Sequence, residues 1–120
     1  MDRVPPQSLE AEQSLLGSML LDKDAAESAL EMVAVEDFYR DAHRQIYQVV
    51  RALRRENEDI DLTTVTESLR KAGMLERVGG AAYISTLGNS VPSALHWESY
   101  ARIVLEKSRL RRVISTAQEA

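Results

Sequence analysis

SALHWESYARIVLEKSRLRRVISTAQEA, residues 93–120, contains neither proline nor glycine. Ser93 can cap a helix, and no stop signal follows it, so the stretch predicts one helix from Ala94 to the last residue. At 1.5 Å per residue such a helix is about 40 Å long. A compact domain of this size has a radius of gyration of only about 14 Å, so the helix is expected to project. Tyr100, Ile103, Lys107, Leu110, Ile114 and Ala117 recur at 3-4-3-4-3 spacing, the pattern of a helix lying along a partner helix. Trp97, Ala101, Val104 and Leu105 form a second apolar face near its start. The first half is expected to pack on the preceding residues and the second half to seek another helix. The missing C-cap implies a piece of a longer protein.

The residues before this stretch divide at prolines and glycines into shorter helical segments. After Pro5-Pro6, Ser8 caps a first helix with Glu10 and Glu12 near its positive end and Leu9, Leu15, Leu16, Met19 and Leu20 as its apolar face. Gly17 inside it costs about 1 kcal/mol relative to alanine and so marks a close helix crossing. Asp24 and Glu27 read as a capping box for a second helix to about Val33, burying Ala26, Ala29 and Leu30. Phe38 is expected to plug the core. Asp41 is expected to cap a third helix carrying Ala42, Ile46, Val49, Val50 and Leu53, with Arg51, Arg54 and Arg55 at its negative end. Asp61 caps a fourth helix with Leu62, Val65, Leu69 and Ala72 on one face, which Gly73 ends in a left-handed turn. Gly79-Gly80 introduces a fifth, Ala81 to Gly88, bearing Tyr83, Ile84 and Leu87. The expected fold class is all-α: a compact orthogonal helical bundle head at 1–93, then the long projecting helix at 94–120.

The 120 residues suffice for one domain. The absence of cysteine excludes a disulfide framework and a thiolate metal site, and with no signal-peptide or membrane-span pattern the expectation is a cytoplasmic protein without membrane contact. The net charge of -4 argues against wholesale wrapping by nucleic acid. Residues 1–100 hold 10 basic and 17 acidic side chains and residues 101–120 hold 5 and 2, so the end is locally basic.

No catalytic constellation stands out. His43 with Asp37 and Asp41 could be drawn as a metal or acid/base trio, but the aspartates are better used as caps, and neither a metal site nor a catalytic residue is expected. Gly79-Gly80 lacks the Gly-Lys-Ser/Thr of a phosphate-binding loop. Lys107, Arg109, Arg111 and Arg112 read as a solvated basic face, whereas the Tyr100 to Ile114 stripe reads as an interface. A small hydrolase built on His43 is the remotest reading. A small helical DNA-binding domain, with helices three and four as reader and the basic end on phosphates, is the alternative.

Several blocks resemble, in order, the amino-terminal part of the DnaB family of bacterial replicative DNA helicases. They are VPPQSLEAEQSLLG (4–17), DFY (37–39), AHRQI (42–46), IDL (60–62), VGG with Tyr83-Ile84, and VPSA (91–94) leading to YARIV (100–104). The resemblance implies a head followed by a helical hairpin, of which 94–120 is the first arm, truncated. It implies a non-catalytic assembly and docking domain that pairs with itself, forms the collar of a hexamer and binds the carboxy-terminal domain of primase during DNA replication, with a helicase loader as a further partner. Tyr100, Ile103, Lys107 and Leu110 are the candidates for hairpin pairing, and Tyr83 and Ile114 for primase docking. ATP, magnesium and the 5'-to-3' helicase motors belong, by the same resemblance, to a domain beyond residue 120, through which single-stranded DNA is met by the full-length hexamer.

Overall fold

The computed structural model describes residues 4–119 and is all-helical, with no strand among them. Six α-helices run α1 Leu9–Leu21, α2 Lys23–Met32, α3 Asp41–Arg55, α4 Leu62–Lys71, α5 Gly80–Asn89 and α6 Trp97–Glu119. Single 3₁₀ turns at Val35–Asp37 and Ala94–His96 precede α3 and α6.

The helix with the widest apolar surface becomes the centre. Residues 15–20 of α1 are all buried, and a helix apolar on every side must be enclosed. It touches α2, α3, α5 and α6, while α4 closes the far side against α3 and α5. Leu15, Leu16 and Met19 are at most 1% exposed, each stabilising the fold by about 1.5–3 kcal/mol. Phe38, at 0%, packs its ring 4.8 Å from that of Tyr47, as expected of a core plug. Gly17 sits where α1 meets the end of α5, and Gly73, Gly79 and Gly80 all take positive φ.

Ser8 and Asp61 accept backbone N–H groups at their helix starts, as expected. Three boundaries differ. Asp22, not Asp24, caps α2 through the Ala25 N–H, because α1 ends at Leu21 and the chain turns within one residue. Asp41 is the first residue of α3 rather than its cap, and the cap position, Arg40, makes no side-chain cap bond. Ser93 caps the 3₁₀ turn before α6, so the last helix begins at Trp97 and not at Ala94; its expected end at Ala120 lies outside the described residues.

Leu62, expected on the buried face of α4, is 38% exposed, and Val65 and Leu69 alone carry that face inside. The α2 carbonyls have no basic residue in the last turn; Tyr47 fills the role, its hydroxyl donating to the Val33 carbonyl with that of Ala29 at 3.1 Å. Burial pushes the Tyr47 phenol up, and the nearby Arg51 guanidinium partly opposes it.

Candidate functional site

α6 has two faces of different chemistry. Trp97, Ala101, Val104, Leu105 and Ser108 face the head, with Ala101, Val104 and Ser108 buried. The fully buried residues of this face, Ala101, Val104 and Ser108, are small, and Trp97 and Leu105 pack at its margins. On the outer side Ile103, Leu110, Val113 and Ile114 are 39%, 41%, 60% and 43% exposed. Tyr100, expected beside them, is half-buried against the core, and Lys107 is half-buried. The helix is thus fastened from Trp97 to Arg112, and the residues at 113–118 are exposed.

What fastens it corrects the reading of the basic run as a solvated face at Arg111, and in part at Arg112, while Arg109 is exposed as expected. Arg111 donates to the carbonyls of Pro6 at 2.8 Å and Asp37 at 2.7 Å and lies over the Tyr39 ring, 5.5 Å from its centroid. Arg112 reaches the Asp37 carboxylate at 3.1 Å, and the buried Ser108 hydroxyl donates to the same oxygen at 2.6 Å. The other Asp37 oxygen accepts the Ala34 N–H at 2.8 Å. Asp37 is therefore a structural pin between the turn before α3 and α6. Desolvation draws the Arg111 guanidinium below its usual range, with Glu12 the main opposing charge. Two of the three arginines that the DNA-binding alternative would place on phosphates are engaged by the head.

His43 does not join Asp37 and Asp41. It is wholly buried, its Nδ1 is 2.7 Å from Glu12 Oε1 and its Nε2 is 2.6 Å from the Tyr83 hydroxyl. Asp41 is on the surface, 3.5 Å from Arg77. Among the described residues no group of three or more His, Asp or Glu side chains is arranged to hold a metal, nor is any helix long and apolar enough to cross a membrane.

Glu12, 1% exposed, also accepts the Tyr39 N–H at 2.7 Å and the Arg40 N–H at 3.4 Å. A carboxylate from α1 thereby ties down the two residues that lead into α3. Sequence spacing could not show this, since the partners are 27 and 28 residues apart; a carboxylate at position 12, one turn from the buried part of α1, is the only trace of it.

Tyr83 closes the network. Against an acceptor-only Glu12 carboxylate His43 Nδ1 is the donor, and in a neutral ring Nε2 then accepts the Tyr83 hydroxyl proton. The Tyr83 oxygen in turn accepts Gln13 Nε2 at 3.1 Å and Arg40 at 3.3 Å. Arg40 lies over the ring, 5.1 Å from its centroid, and the His43 ring is nearly parallel to it at 6.0 Å. Ile114 lines a groove with Val4, Pro5, Pro6 and Arg111. Tyr83 thus touches Arg40, and Ile114 shares its groove with Arg111, which lies over Tyr39, the residue before Arg40.

Known proteins share this architecture. Residues 4–106 match the family described as DnaB-like helicase N terminal domain. The chain is 48% identical over 116 residues to the replicative DNA helicase DnaB of Geobacillus stearothermophilus, covering 97% of this chain and 26% of that protein. The crystal structure of the N-terminal domain of DnaB helicase from Mycobacterium tuberculosis is similar with a TM-score of 0.94 at 45% identity, over 97% of this chain and 81% of that one. A solved DnaB-like replicative helicase, described together with its interactions with primase, gives a TM-score of 0.82 at 28% identity, over 93% of this chain and 26% of that one. The chain spans about a quarter of the length of these full-size relatives. It belongs to the DnaB-like helicase N-terminal domain family, the amino-terminal domain of replicative DNA helicases.

Proposed function

We propose that this domain is a non-catalytic assembly and docking module, pairing with further copies of itself in a hexameric collar and binding the carboxy-terminal domain of primase. The observation that carries the reading is the outer face of α6: four large apolar side chains, Ile103, Leu110, Val113 and Ile114, exposed on a helix whose opposite face is already consumed by the head. Exposed apolar residues in series along a helix are the usual mark of a helix-to-helix interface. A solved relative described with primase supports the choice of partner. ATP hydrolysis, magnesium binding and contact with single-stranded DNA fall in this reading to other parts of the whole protein, and a helicase loader is a further partner.

The pairing half of the proposal predicts a mass above that of the monomer, rising with concentration, in light scattering behind size exclusion. Leu110→Asp, a charge in the middle of the stripe, should return the mass to the monomer. A mass indifferent to the substitution would remove this face from the assembly surface.

The docking half predicts that titration calorimetry with the primase carboxy-terminal domain gives binding, and that Ile114→Asp weakens it by about tenfold, or 1.4 kcal/mol, by placing a charge in an apolar contact. Because Ile114 is 43% exposed, the unfolding midpoint should be unchanged. Equal affinity for the two chains would exclude Ile114 from the site.

A further inference from the structure

Each of the two candidate docking residues has an arginine beside it, Arg40 at Tyr83 and Arg111 at Ile114. Tyr39 and Arg40 are adjacent in the chain, and each belongs to an arginine–tyrosine stack: Arg111 over Tyr39 at 5.5 Å, Arg40 over Tyr83 at 5.1 Å. The two arginines are used differently. Arg111 spends its fork on the carbonyls of Pro6 and Asp37 inside the molecule. Arg40 is exposed and gives one nitrogen to the Tyr83 oxygen, at the long distance of 3.3 Å.

The backbone of Arg40 is anchored through both of its polar groups, and its side chain rests on Tyr83. Its N–H donates to Glu12 Oε1 at 3.4 Å, and its carbonyl accepts the N–H groups of His43 at 3.0 Å and Arg44 at 3.1 Å. The Tyr83 ring beneath it is fixed by the His43 and Gln13 bonds to its hydroxyl. Gly79 leaves room for that ring, since a Cβ there would stand 2.8 Å from Tyr83 Cβ. The Tyr83 hydroxyl is already surrounded by three partners, His43 Nε2, Gln13 Nε2 and Arg40, which fills its capacity of one donated and two accepted bonds. What this spot offers a docked protein is the edge of an aromatic ring and an oriented guanidinium fork.

We propose that Arg40 is the polar recognition residue of the docking surface, taking a carboxylate side chain of the docked primase domain, while the Glu12–His43–Tyr83 network holds it in position. This rests on the docking reading above. A planar fork held over an aromatic ring loses little freedom on binding and matches a carboxylate in two-pronged geometry. The attraction between the guanidinium and such a carboxylate is local and is weakened by salt.

The test is titration of the full chain with the primase carboxy-terminal domain at two salt concentrations, comparing the unaltered protein with Arg40→Gln and Arg40→Lys. Arg40→Gln should bind about tenfold more weakly, the order expected of a charged hydrogen bond lost at an interface, and with a shallower dependence on salt. Arg40→Lys should recover the salt dependence but only part of the affinity, because it keeps the charge without the fork. The unfolding midpoints should coincide, since the backbone of residue 40 is anchored independently of its side chain. Binding by the unaltered chain with no change of affinity or salt dependence in Arg40→Gln would overturn the assignment of Arg40 alone. No binding by the unaltered chain would overturn the docking reading and this inference with it.

Discussion

Gly17→Ala should destabilise the domain by about 2–3 kcal/mol, even though alanine is the better helix former by about 1 kcal/mol. A Cβ at position 17 would lie 2.2 Å from the Leu87 carbonyl oxygen, 3.1 Å from its carbon and 3.3 Å from Val91 Cγ2. The first two are backbone atoms of α5, so no side-chain rotation relieves the contact and the two helices must move apart. Leu87 O also accepts the Ser90 hydroxyl at 2.8 Å and so belongs to the structure that ends α5. For a domain of this size the loss corresponds to a fall of about 10 °C in melting temperature. Gly88→Ala on α5 is the matched control. Nothing lies within 4 Å of a Cβ there, and the substitution should be neutral or stabilising by up to about 1 kcal/mol. Denaturant midpoints measure both, and a Gly17→Ala midpoint at or above that of the unaltered chain would remove the close crossing as the reason for this glycine.

That crossing is legible from one residue, because glycine weakens an apolar helix unless a second backbone comes too close for any side chain. Ser8, Asp61, Gly73 and the Gly79-Gly80 pair are legible on similar grounds: each acts within four residues of itself, where spacing is informative. The two faces of α6 are only half legible. Hydrophobicity picks out Tyr100, Ile103, Leu110 and Ile114, and all but Tyr100 point outward. Trp97, Ala101, Val104 and Leu105 are legible as the second apolar face and do pack on the head, but Ser108 and Arg111 join that face through Asp37, 71 residues from Ser108. No periodicity encodes such a partner. The basic run misleads in the same way, since charges in series look solvated unless the acceptors that face them are known. For His43 the sequence neighbours are misleading: the two nearby aspartates serve Ala34 and Arg77, and the true partners come from α1 and α5.

Glu12→Ala should be more costly still, about 3–5 kcal/mol, which is a large share of the 5–15 kcal/mol that holds a typical domain folded. Three donors converge on this carboxylate: the N–H groups of Tyr39 and Arg40, at the start of α3, and Nδ1 of His43. With Glu12 only 1% and His43 0% exposed, water cannot replace the lost acceptor without opening the head. The carboxylate also faces the positive end of the α3 dipole, a favourable term that alanine removes. Glu12→Gln separates these contributions. Its amide oxygen can still accept from one donor, but its NH₂ group meets a second N–H, so the expected loss is intermediate. Fluorescence of Trp97, the only tryptophan and one packed against the core, reports the unfolding transition in all three chains. The expected order of midpoints is unaltered, then Glu12→Gln, then Glu12→Ala. A loss below about 1 kcal/mol in Glu12→Ala would mean that α3 starts without help from α1. In that case the buried network would be a consequence of packing and not one of its causes.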